Sequence, residues 1–150
     1  MGTTTELLEG FAQLLADAGL AAWNPTGVYA DDTLGIFMKL MPTSPDRAVT
    51  LTIVDTTDDP TMPLGAKMLQ VRGRGAPGDP TDVDDILDPI FTALHGLTGV
   101  TFGSQTVIQC LRRISAPMGM DQSKRWERAD QFYLDVDAPP STLRPDRGAW

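Results

Sequence analysis

Apolar residues recur at helical spacing near the start of the chain, where Leu7, Leu8, Phe11, Leu14, Leu15 and Ala18 share one face. Thr3 and Glu6 stand before them as a capping box and Gly19 follows as a terminator, which predicts an amphipathic helix over about residues 4–18. The period then changes to two. After the turn signal Asn24-Pro25-Thr26-Gly27, the residues Leu34, Ile36, Met38 and Leu40 alternate with Gly35, Phe37 and Lys39, predicting a half-buried strand from Leu34 to Met41. A second strand, Ala48 to Asp55, turns Val49, Leu51 and Ile53 to one side and Thr50 and Thr52 to the other. A third, Lys67 to Arg74, sets Leu69 and Val71 inward against Gln70, Arg72 and Arg74. Asp79-Pro80 then opens a second helix on Val83, Ile86, Leu87, Ile90, Phe91, Leu94 and Leu97, with Pro89 inside it expected to remove a backbone hydrogen bond and kink it. Two further strands, Thr106 to Ser115 and Glu127 to Asp137, flank a hairpin loop from Ala116 to Trp126.

Helix, three strands, helix and two strands, most with single-face alternation, predict an α+β fold: a two-layer sandwich of a mainly antiparallel sheet with two helices on one face. The other face is polar or shared with a partner. The folded domain is expected over residues 1–137. Residues 138–150, with three prolines and no periodicity, form a C-terminal tail expected to be disordered alone.

Charge narrows the function classes. Twenty acidic and 12 basic residues give a formal charge of −8, which disfavours sequence-independent binding to nucleic acid. A single cysteine, Cys110, excludes an intramolecular disulfide and a cysteine-cluster metal site. No run approaches the ~20 apolar residues that span a bilayer, and the start of the chain lacks the zones of a signal peptide, so neither export nor a membrane is expected.

Candidate chemistry is sparse. Gly73, Gly75 and Gly78 spell G-x-G-x-x-G between a strand and a helix, the setting of a dinucleotide fingerprint. A pyrophosphate there would meet Asp79, Asp82, Asp84 and Asp85 at the helix start, and Pro77 removes a backbone donor, so a flexible strand-to-helix connection is the expectation and no cofactor is assigned. Cys110 and His95 are read as a packed thiol, sharing a strand face with Ile108 and Ile114, and a helix-end histidine. Asp31-Asp32 and Asp55 to Asp59 are read as solvated loop aspartates with turn and capping roles, without metal-loop spacing. Phe37, Met41, Met62, Leu64, Met118 and Met120 fall outside the core register or in loops and together suggest contact surfaces.

Gln70-Val71-Arg72-Gly73-Arg74-Gly75, an acidic helix with Ile86, Ile90 and Leu94, then Met118-Gly119-Met120-Asp121, Arg125 and Glu127 leading into a last strand resemble the tail terminator proteins of long-tailed bacteriophages, often labelled minor capsid proteins. The resemblance runs from residue 5 to residue 137. It implies a non-enzymatic virion protein, made in the host cytoplasm. Such a protein forms a ring, a hexamer, on the finished tail tube, ends tube polymerisation and docks to the head-tail connector protein at the head-tail junction. Its partners would be itself, the tail tube protein and the connector, with DNA passing through the lumen without specific binding.

Within that role, Phe37, Lys39, Met41, Arg72, Arg74, Asp82 and Asp85 are expected at the subunit interface, where the two arginines either meet an acidic segment of a neighbour, such as Asp82 to Asp88, or form a solvated basic face. Met62, Leu64, Met118, Asp121 and Arg125 are expected in partner-binding loops. Two rivals from other classes are a small metal-dependent hydrolase using the aspartate loops and a monomeric adaptor module.

Overall fold

The computed structural model describes residues 2–59, 62, 64–138 and 143. Helix α1 spans Thr3–Asp17 and helix α2 Asp82–Leu94; the strands are β1 (Gly35–Met38), β2 (Ala48–Asp55), β3 (Gly65–Arg74), β4 (Val100–Phe102), β5 (Gln105–Met120) and β6 (Trp126–Asp137). They form one sheet in the order β1-β2-β3-β6-β5-β4. All neighbours are antiparallel except β1 and β2, which run parallel, so the sheet is mixed.

The alternation read from the sequence selects the inner face. Ile36, Val49, Leu51, Leu69, Val71, Phe132, Leu134 and Val136 enter the core from the sheet, opposite Phe11, Leu15, Leu87 and Ile90 from the helices. Helix α2 packs on β3, β5 and β6, whereas α1 touches β2, β4 and β5. Because β2 and β4 lie near opposite ends of the strand order, one helix reaches both only if the sheet curls around it. The fold is therefore α+β with both helices on one side of a sheet that is mainly antiparallel, as expected, but that curls around them and carries a parallel pair at its β1 edge.

Several boundaries move for local reasons. The first strand keeps only four residues because Lys39 adopts a left-handed backbone (φ 69°), which reverses the chain and leaves Leu40 76% exposed instead of on the core face. Thr3 belongs to the first turn of α1, Gly2 is the cap, and no side chain caps that end; Glu6 instead accepts a hydrogen bond from Ser104 Oγ at 2.5 Å. Asp79 precedes α2 as a turn, accepting from the Thr81 amide and hydroxyl, while Thr81 is the cap. Pro89 sits inside α2 without ending it. The short strand β4 had no periodic signal, being only three residues long.

The largest departure is the final hairpin. Strands β5 and β6 continue to Met120 and from Trp126, so the expected loop shrinks to residues 121–125. Against β6, β5 carries register shifts between Val107 and Gln109, Arg112 and Ile114, and Pro117 and Gly119. Each is a bulge that adds one residue to β5 and exchanges the faces beyond it. Consequently Cys110 is buried while Ile108 and Ile114, expected on its face, are exposed.

Candidate interaction surfaces

The glycine-rich connection between β3 and α2 is held by backbone contact. A side chain on Gly73 would stand 2.9 Å from Leu87 Cγ, and one on Gly75 would stand 2.8 Å from the Val83 amide nitrogen. Gly75 and Gly78 also donate their amides to the carbonyls of Trp126 and Lys124 at 3.0 and 2.8 Å. The motif therefore docks helix to sheet and is not a flexible hinge. Where an anion would approach the start of α2, the carboxylate of Asp82 already stands, accepting from the Ala76 amide at 2.8 Å and from both Nε and Nη2 of Arg47 at 2.8 and 3.1 Å. Burial works to raise the Asp82 pKa, but these bonds outweigh it and hold the carboxyl below its ordinary value.

The two arginines of β3 are not free on a solvated face. Arg72 pairs with Glu127 across β3 and β6 at 2.8 Å. Arg74 is 3% exposed, and its guanidinium donates to the carbonyl oxygens of Pro42, Pro45 and Asp46 at 2.5, 2.7 and 2.7 Å. Burial, and then the charge of Arg125, lower its pKa, while Glu127, Asp121 and Asp46 work the other way. Arg74 thus clamps the segment between β1 and β2 over the sheet, because a planar fork of five donors can satisfy several carbonyls at once.

Two residues expected to reach a partner close the β5–β6 hairpin instead. Asp121 accepts from the Ser123 and Arg125 amides and from Arg125 Nε, and its carboxyl is lowered by these bonds, the Arg125 amide foremost. Buried Arg125 reaches on to the Thr43 carbonyl at 2.7 Å and Asp46 at 3.1 Å, tying the hairpin to the segment that Arg74 clamps. Met118 and Met120 at this end remain exposed.

A buried ionic cluster that the sequence reading missed joins α2 to the sheet. Arg128 meets Asp130 with two parallel bonds, at 2.9 and 2.8 Å, and its Nη1 reaches Asp84 and Asp88 at 2.9 and 2.8 Å. Asp130, 1% exposed, also accepts from Ser115 Oγ at 2.6 Å and Arg112 at 3.3 Å. The bonds that Arg128 donates to Asp130 raise its pKa further above its already high value against the effect of burial. The signal was present as Arg128 and Asp130 at period two with the apolar residues of β6, beside aspartates four apart on α2.

Cys110 and His95 do not assemble a nucleophilic pair. His95 is the C-cap of α2, stacks on Phe91 at 4.9 Å, and accepts the Arg112 amide at Nδ1, 3.0 Å away. Burial pushes the Cys110 thiol up to about 12. At pH 8 native protein should therefore resist alkylation by iodoacetamide and react within minutes once unfolded in urea; mass spectrometry of the intact chain reads the difference. Asp55 pairs with Lys67 at 2.6 Å, and among the described residues no group of three metal-ligating side chains forms.

Of the other surface residues, Phe37 is half-buried against Tyr29 with ring centroids 5.2 Å apart, and Met41 lies 3.5 Å from the Thr50 hydroxyl. Lys39, Asp85 and Met62 are exposed and Leu64 is half-buried. Most of the proposed tail, residues 139–142 and 144–150, lies outside the described residues, as do Pro60 and Pro63 of the proline loop. Trp23, Pro25, Phe37, Leu40 and Pro42 line an apolar groove of about 310 Å³ beside β1. Six of the ten described Lys and Arg residues, Arg47, Lys67, Arg72, Arg112, Arg125 and Arg128, pair with carboxylates within the chain.

A family model described as bacteriophage tail terminator protein matches residues 14–138. Among solved structures, the chain is similar to one from the virion of a native gene transfer agent particle, at 12% identity and a TM-score of 0.62, covering 92% of this chain and 100% of that one. Among curated proteins no sequence matches.

Proposed function

Because the chain belongs to the bacteriophage tail terminator family, and is a structural protein of phage-like virions, we propose that it closes the head-proximal end of the tail tube as a hexameric ring. Family membership over most of the chain carries this reading. In it, residues 1–137 form the ring subunit, made in the host cytoplasm and incorporated at the head-tail junction. The ring ends tube polymerisation and offers its other side to the head connector protein.

The surfaces support it. One chain carries separate exposed apolar sites, Met118 and Met120 on the hairpin and the groove with Leu40 beside β1. Different patches on one subunit suit head-to-tail contact, which closes into a ring when the rotation allows. Phe37, Lys39, Met41, Arg72 and Asp85 border those contacts, whereas Arg74, Asp82, Asp121 and Arg125 act by shaping the segments that make them. Met62 and Leu64 touch the tube protein or a neighbour. With a net charge of −8 per subunit, the lumen repels passing DNA rather than trapping it.

Light scattering of the protein mixed with tail tubes should give a bound species of six chains per tube end, and particles lacking the protein should carry tubes of uncontrolled length. Tubes that end at the normal length without it would overturn the reading. Met62→Asp with Leu64→Asp should weaken tube-end binding while the melting temperature of the subunit moves by no more than about 4 °C, the scale of a surface change.

A further inference from the structure

A second groove, of about 600 Å³, runs along α1 and is formed by Glu6, Glu9 and Gln13 on the helix and by Trp23, Pro25 and Phe102 opposite. Its floor is bare helix backbone, because Gly10 lies directly under the Phe102 ring and a side chain there would collide with it. The groove joins aromatic and proline surface to an acidic rim. Glu9 makes no ion pair among the described residues. Aromatic grooves of this kind take extended proline-rich segments, whose conformation costs little entropy to fix, and an acidic rim selects arginine.

The chain carries such a segment. Residues 139–150 read Pro-Pro-Ser-Thr-Leu-Arg-Pro-Asp-Arg-Gly-Ala-Trp, holding two arginines beyond the sheet together with a tryptophan. The departure point is close, since Asp137 pairs with Thr106 and Thr106 pairs with Thr101, the neighbour of Phe102. Two strand spacings, about 10 Å, separate these positions, and twelve extended residues reach about 40 Å.

We propose that the segment 139–150 docks into the α1 groove of its own chain, with Arg144 and Arg147 meeting Glu9 and Trp150 stacking against Trp23 and Phe102. Tethering raises the local concentration of the segment to the millimolar range, so modest contacts suffice. This inference stands apart from ring formation.

The test uses the full chain with Gln13→Cys and Ala149→Cys, oxidised at low protein concentration and followed on a non-reducing gel and by mass. A disulfide within one chain is expected, forming at least tenfold more slowly when Glu9→Lys is added and recovering when Arg144→Glu and Arg147→Glu are added to that. Disulfide-linked dimers in place of the internal bond would assign the groove to a neighbour's segment and overturn the proposal. An internal bond that forms equally fast with Glu9→Lys, or none at all, would overturn it as well. Light scattering of the same samples with tube ends reads ring formation separately.

Discussion

Replacing Arg128 with methionine is expected to destabilise the fold by about 3–5 kcal/mol, the cost of leaving a buried charge without its partner. Asp130 is 1% exposed and would keep only Ser115 and the longer contact to Arg112, while Asp84 and Asp88 would lose the cation that ties α2 to the sheet. Because the penalty comes mainly from the orphaned carboxylate, adding Asp130→Leu should recover most of it, as apolar replacements of buried ion pairs commonly do. Urea unfolding of both variants measures the two steps. A single substitution costing less than about 1 kcal/mol would show that water reaches Asp130 and that the cluster behaves as a surface pair.

Arg74→Met should follow at about 2–4 kcal/mol, by a different route. No carboxylate is orphaned; three carbonyl oxygens, of Pro42, Pro45 and Asp46, lose their donors at once. Lysine at this position should restore little, since a point ammonium on a flexible stem cannot present the fork that spans these oxygens. Amide hydrogen exchange should rise across residues 40–47 and at the hairpin, which Arg125 ties to the same segment through Thr43 and Asp46. Normal exchange there, with normal stability, would mean that the segment is held by packing alone.

Period and turn chemistry made both helices and the long stretches of the sheet legible. Leu7, Phe11 and Leu15, like Val49, Leu51, Leu69 and Val71, occupy the inner face that their spacing assigns. What failed were features that no single-chain period encodes. Strand β4 is too short to show one. The parallel pairing of β1 depends on its neighbour rather than on its own residues. The bulges of β5 break the alternation that would report it, so Ile108 and Ile114, expected beside Cys110, lie on the other face.

Among the surface residues, charge could be located in the sequence but not its partners. Arg74, Asp82, Asp121 and Arg125 read as free groups because the carbonyls, amides and side chains that hold them lie far along the chain or in turns. Buried arginines have the same sequence signature as solvated ones: both alternate with apolar residues on a strand. Only packing by the 40–47 segment distinguishes Arg74.

The bulges of β5 also govern what a stray strand can do. Beyond Arg112 the outer edge of β5 faces no strand among the described residues, since β4 pairs only with Gln105, Thr106 and Val107. A long exposed edge is a template for fibre growth, and this one carries Ile114, Met118 and Met120. Yet its regular stretch between the last two bulges runs only from Ile114 to Pro117, and Pro117 lacks an amide hydrogen to offer. An incoming peptide would find too few consecutive ladder bonds to grip, so the bulges and Pro117 make this edge a poor template despite its exposed apolar side chains.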